Sequence, residues 1–186
     1  GLDFYQISHW DKDPTKPKIL AELEAFCSFL AHLRARFGST IPIVKKFGNH
    51  DERMDMYLSR CAPELFDIPA IRDAWYATAG FIKHNITIVK DKRPVMLGKL
   101  HVLHGHEKGK GISSPVNQAR GALMRIGESV LEGHGHRSSS HSEPTGLTRE
   151  ETMCWSTGCL CDLTPEYARI NKWNHGFAVV TVHKGG

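Results

Sequence analysis

The chain has 186 residues, of which 40% are hydrophobic and 24% charged, with a formal net charge of +4. That is enough for one domain with its own core, in a composition ordinary for globular proteins, and the small positive charge suits an anionic substrate without demanding nucleic acid. No long apolar run offers a membrane span, Gly1-Leu2-Asp3-Phe4-Tyr5 has neither the basic nor the apolar region of a signal peptide, and five cysteines, an odd number, speak against a disulfide framework and for a reducing, cytoplasmic setting.

Residues 1–18, rich in Asp, Lys and Pro, read as a loop. From 19 to 37 apolar residues (Ile19, Leu20, Leu23, Phe26, Phe29, Leu30, Leu33, Phe37) recur at spacings of three and four, the mark of an amphipathic helix, with Gly38 to close it and Cys27 in its core face. A strand is expected over 41–47, a helix over 52–61 stopped before Pro63, and a shorter helix over 69–76. The β-branched run 86–89 reads as a strand, 91–94 as a turn, and 95–103 as two short strands broken near Gly98. Ser114 as N-cap and Pro115 at the first helical position predict a helix running to about Ile126. A strand over 129–132 follows, then a polar, Ser-rich loop or flap over 137–149. Strands near 152–160 and 177–182, with a turn or helix at 165–170 between them, complete an α/β pattern with a β-rich tail.

The chemistry concentrates where strands end. Phe47-Gly48-Asn49-His50-Asp51-Glu52-Arg53 puts an amide, an imidazole and a carboxylate at the carboxyl end of the strand over 41–47, the usual place for ligands in open α/β layers. His104-Gly105-His106 and Gly133-His134-Gly135-His136 each follow an apolar run, and half of the twelve histidines fall within 101–106 and 134–141. Imidazole is a common ligand of zinc, manganese and iron, and Gly135 permits close backbone approach. A solvated His-rich loop is the plainer account of any single pair. Three such sites at strand ends favour a metal site at one rim of a sheet.

These residues resemble the calcineurin-like metallophosphoesterases. That family carries Asp-x-His, Gly-Asp-x-x-Asp, Gly-Asn-His-Asp/Glu, a His, and Gly-His-x-His, and the last three are present in order from residue 48 to 136. The context His104-Gly105-His106-Glu107 and Trp173-Asn174-His175-Gly176 is similar to the phage and bacterial branch likened to DNA repair exonucleases. The resemblance implies a two-sheet α/β sandwich flanked by helices, as a single domain over residues 1–186. It implies a hydrolase of phosphate esters, a phosphodiesterase or nuclease before a phosphomonoesterase, with two divalent transition metals (Mn, Fe or Zn) about 3.5–4 Å apart. Asn49, His104 and His134 would ligate one metal and His136 the second. His50 would be the catalytic histidine at the phosphate, held by Asp51.

The first motif is absent and the second is cut, since Gly1-Leu2-Asp3 fits only its last three positions. The expectation is therefore a chain incomplete at its N-terminus, lacking the opening strand-helix-strand and the acidic bridge between metals. By itself it would have no appreciable phosphoesterase activity. The rival reading is a catalytically dead fragment that binds a metal or a partner.

Several residues stay open at this stage. His106 either faces the site or shapes its turn; Arg137 and His141 either contact phosphate or belong to a solvated flap; Arg53 either pairs with an acid or meets substrate. Cys154, Cys159 and Cys161 are expected as buried thiols on a strand in preference to structural zinc ligands, because their spacing departs from the paired Cys-x2-4-Cys knuckle. His175 either packs or borders the cleft, and His101 is structural.

Overall fold

In the computed structural model, which describes residues 2–9, 11–16, 18–109 and 116–183, helix α1 spans Ile19–Phe37. Ile19, Leu23, Phe26, Leu30 and Leu33, at alternating spacings of four and three, form its inward stripe. Leu20, Phe29 and Phe37, counted from sequence in the apolar face, are exposed instead, because they fall off that stripe. Lys18 gives α1 no side-chain cap. Glu22 in its first turn accepts the Phe4 amide at 3.0 Å and also binds the Asp3 amide, so the opening residues are strapped along the helix. Leu2 and Phe4, expected in a loop, are consequently buried.

Backbone contacts group the chain into two compact units, Gly1–Val89 and Lys90–Gly186. In the first, β1 (Ile43–Lys46) leads to α2 (Arg53–Cys61), then to the short helices α3 (Pro63–Phe66), α4 (Pro69–Arg72) and α5 (Trp75–Thr78), and to β2 (Ile86–Val89). The strand β2 lies parallel to β1, with Ile43 opposite Ile86 and Lys46 opposite Val89. The helix expected over 69–76 is thus two helices. The core is aromatic: Phe4 meets Trp75 edge-on at 5.1 Å, and Phe47 stacks on Trp75 at 5.8 Å. Burial of such rings, with their preferred edge and offset contacts, holds a sheet of only two strands in place.

The second unit is built on a five-stranded sheet in the order β3-β4-β5-β7-β6, from Val95–Leu97, Leu100–Leu103, Val130–Glu132, Glu151–Ser156 and Ser139–Pro144 respectively. The three central strands β4, β5 and β7 are parallel and both edges antiparallel. Helix α6 (Gln118–Ile126) connects β4 to β5 and packs Ala119, Ala122, Leu123 and Ile126 against Val130, Cys154 and Leu103. Its N-cap is Asn117, whose side chain accepts the Arg120 amide at 3.0 Å; the expected Ser114–Pro115 start lies outside the described residues. The 137–149 segment is not simply a flap: Ser139–Pro144 is the edge strand β6. Residues 177–182, expected as a strand, carry none, and 165–170 holds a single 3-10 turn, Glu166–Ala168. The molecule is mixed α/β with two sheets, and β1 does not share a sheet with β4 and β5. Among the described residues no helix is long and apolar enough to cross a membrane.

Candidate functional site

In the first unit the turn after β1 is built by Asp51. Its buried carboxylate accepts the Gly48 amide at 2.8 Å and pairs with Lys45 at 2.6 Å through the same oxygen, Oδ2. The expected contact between Asp51 and the His50 ring is therefore replaced. The carboxylate that meets His50 is that of Asp3, 2.7 Å from Nδ1. Arg53 donates to the Asp3 carbonyl and carboxylate at 2.6 Å each and approaches His50 Nε2 at 3.3 Å. A guanidinium only donates, so Nε2 accepts and Nδ1 carries the proton given to Asp3. The hydrogen bond from His50, with the charge of Arg53 behind it, holds the Asp3 carboxyl below its ordinary range despite partial burial. Beside this triad a small cavity of about 140 Å³ is lined by Asn49, Arg53, Arg60, His9 and Met56, a cationic hollow sized for a small anion.

In the second unit His104 directly follows β4, and His134 follows β5, the neighbouring parallel strand. Their rings meet, with His134 Nδ1 at 3.2 Å from His104 Nε2. The His106 ring stands beside them, 5.2 Å from His104 and 6.3 Å from His134 between centroids. The turn that aims His104 is fixed by Glu107, whose carboxylate accepts the His104 amide at 3.1 Å and the Gly105 amide at 2.6 Å. Gly105 has φ +114, and a Cβ there would sit 2.9 Å from that of His134, so only glycine lets the two loops close. Below them the buried Glu132 pairs with Lys108 at 2.6 Å; burial pushes its carboxyl up, and the Lys108 charge only partly opposes this.

His136 departs from the expected arrangement. His104, His134 and His136 do not form a cluster of ligand atoms within 4.8 Å of one another; among the described residues the group that does is His136, Cys159 and Cys161. Cys154 is the buried strand thiol that was expected, but Cys159 and Cys161 lie beyond the end of β7. His141 stands on β6 with its ring 2.8 Å from Glu143, and the Arg137 carbonyl accepts the Ser156 hydroxyl at 2.8 Å. Asp3, Glu107, Lys108 and Glu132 were not singled out from sequence as parts of the site. For Glu107 the adjoining His-Gly-His was the available signal.

Compared with known proteins, the chain matches no family model. It is similar to the Gene 54 protein of Mycobacterium phage D29, 28% identical over 191 residues that cover 97% of this chain and 73% of that protein. It is similar also to the Gene 54 protein of Mycobacterium phage L5, 26% identical over 192 residues with the same coverage. Both relatives are phage proteins, and their names carry no activity.

Proposed function

We propose that the protein is a metal-dependent hydrolase of phosphate esters, acting as a phosphodiesterase or nuclease on the two-sheet plan of the calcineurin-like metallophosphoesterases, in a cytoplasmic setting. The observation that carries this reading is the approach of His134 Nδ1 to His104 Nε2 at 3.2 Å, at the ends of adjacent parallel strands. Two nitrogens bound to one ion at 2.0–2.1 Å stand roughly 3 Å apart, so the pair already has the spacing of a shared ligand set. His104 and His134 would hold this ion.

Bound divalent ions supply Lewis acidity toward a phosphoryl oxygen and make water a better nucleophile near neutral pH. The chain's own contribution is orientation and charge. Asp3 holds His50 through Nδ1, and Nε2, which faces Arg53, would donate to a leaving oxygen only from the doubly protonated ring. Arg53 and Arg60 line the adjoining hollow and suit phosphate oxygens. Glu107 supports the backbone of His104 through two amides.

The test is turnover of bis-p-nitrophenyl phosphate by the protein with added manganese, alongside metal content after dialysis. His134→Ala is expected to lose metal and activity together. His50→Ala is expected to keep metal and lose roughly 10²–10⁴-fold in rate. Unchanged metal content and turnover in His134→Ala would reject the reading, and loss of metal in His50→Ala would reject the role given to His50.

A further inference from the structure

We infer that His136, Cys159 and Cys161 form a binding site for a thiophilic divalent cation of the zinc class. The inference needs only these three side chains and does not rest on the hydrolase reading. Their ligand atoms all lie within 4.8 Å of one another, and Cys161 Sγ stands 3.8 Å from His136 Nδ1. Around a tetrahedral ion with Zn–S near 2.3 Å and Zn–N near 2.0–2.1 Å, such atoms stand roughly 3.5–3.8 Å apart. The three side chains therefore need to move by no more than about an ångström to share one ion.

The backbone that presents them is already fixed. Asn174 donates its amide to the His136 carbonyl at 3.0 Å and accepts the Cys159 amide at 2.9 Å, so one residue ties both ligand-bearing segments together. The Asn174 side chain grips Ser138 twice at 2.8 Å, through the Ser138 amide and hydroxyl. His175 Nε2 lies 3.0 Å from the Cys161 carbonyl, and Trp173 packs edge-on against the His136 ring at 4.2 Å between centroids. Trp173, Asn174 and His175 thus act as a clamp that orients the three ligands, the support that precise metal sites require. Two sulfurs and one imidazole select soft or borderline ions over magnesium or calcium, and three protein ligands leave a fourth position for water or an incoming group. On binding, each thiol passes its proton to solvent as it becomes a thiolate ligand.

The experiment uses cobalt(II) as a spectroscopic probe and zinc as a protecting ion, with reductant present. Metal-free protein given cobalt(II) is expected to develop the near-ultraviolet charge-transfer absorption of a thiolate-bound ion. Cys159→Ser/Cys161→Ser is expected to lose it. The wild-type protein gives a second readout that does not depend on a variant folding. Zinc should slow alkylation of Cys159 and Cys161 by iodoacetamide roughly tenfold or more, because the metal-bound thiolate is withheld from attack. The exposed Cys61 should react at an unchanged rate and serves as internal control. Absence of the charge-transfer band in the wild type, its persistence in the double variant, or equal alkylation with and without zinc would each overturn the site. None of these readouts depends on phosphate-ester turnover, so failure here and failure of the hydrolase reading are separable.

Discussion

Replacing Gly158 by Ala strikes the Asn174 clamp directly. A Cβ at this position would lie 2.3 Å from the Asn174 carbonyl oxygen, 2.7 Å from the Gly176 nitrogen and 2.7 Å from the His175 carbonyl carbon. All three are backbone atoms, so no side-chain rotation relieves the overlap. The neighbouring bonds from the Cys159 amide to the Asn174 carbonyl, 2.9 Å, and from the Gly176 amide to the Cys159 carbonyl, 3.2 Å, must stretch or break. Overpacking of this kind costs about 1–3 kcal/mol, and each lost hydrogen bond about 1 kcal/mol more, so Gly158→Ala should destabilise the protein by about 2–4 kcal/mol. For a chain of this length that lowers Tm by on the order of 10 °C. Gly146→Ala is the matched control: nothing lies within 4 Å of its Cβ and its backbone is outside the left-handed region, so the change should be neutral or slightly stabilising. Urea and thermal denaturation followed by tryptophan fluorescence, with a chelator present so that bound metal does not mask the difference, would measure both. A Gly158→Ala variant within about 0.5 kcal/mol of wild type would show that this packing is not what holds the segments together.

Two further outcomes follow from the first unit. Arg34 donates to four carbonyls, His84 at 2.7 Å, Asn85 at 2.8 Å, Ile41 at 2.6 Å and Gly38 at 3.2 Å, so Arg34→Ala should cost about 1.5–3 kcal/mol by denaturation, and Lys should recover only part because it lacks the forked donors. Asp3 has a lowered folded pKa, so its ionised form stabilises the fold above the unfolded value and that stability is lost as pH falls through the folded one; Asp3→Asn should be less stable than wild type at neutral pH, with the gap closing below about pH 4 in a pH series of urea melts.

The sequence was most readable where one face is buried and the other wet. The inward stripe of α1 and the Ala119-Ala122-Leu123-Ile126 stripe of α6 both carry helical spacing, and β2 is a run of β-branched residues with Ile86 buried. Reading failed where pairing rather than burial makes the element. Strand β6 is Ser-Ser-His-Ser-Glu-Pro, with no apolar face, and is a strand because its backbone pairs with β7 along the sheet edge. Residues 177–182 are the converse: Val179, Val180 and Val182 have the right composition, yet this stretch gains no place in the sheet and instead Phe177–Thr181 lines a groove with Leu131 and Trp155. Leu2 and Phe4 were hidden among polar neighbours, and their burial depends on Glu22, which no local pattern announces. Within the candidate site the histidines were visible through clustering. The carboxylate on His50 was assigned to the wrong residue because Asp51 is adjacent in sequence, whereas Asp3 arrives through the fold.

The loop after β5 is where local preference and overall structure disagree most. His134 and His136 both have left-handed backbones, φ 34 and 57, in a segment where Gly133 and Gly135 would have taken that conformation with less strain. A non-glycine residue held there costs on the order of 1–3 kcal/mol. Beneath it Glu132 is buried, its pKa is raised, and Oε2 has no hydrogen-bond partner among the described residues. These unfavourable features persist because hydrogen bonds from three other segments fix the loop: Gly133 to His104 at 3.1 Å, Thr157 to Glu132 at 2.8 Å and Asn174 to His136 at 3.0 Å. A fold selected only for stability would place the glycines at the strained positions and an apolar residue at 132. Here the imidazoles occupy the strained positions, one aimed at His104 and the other at two thiols. Concentrated conflict of this kind, sustained by the surrounding structure, is the physical signature expected of a ligand-binding loop.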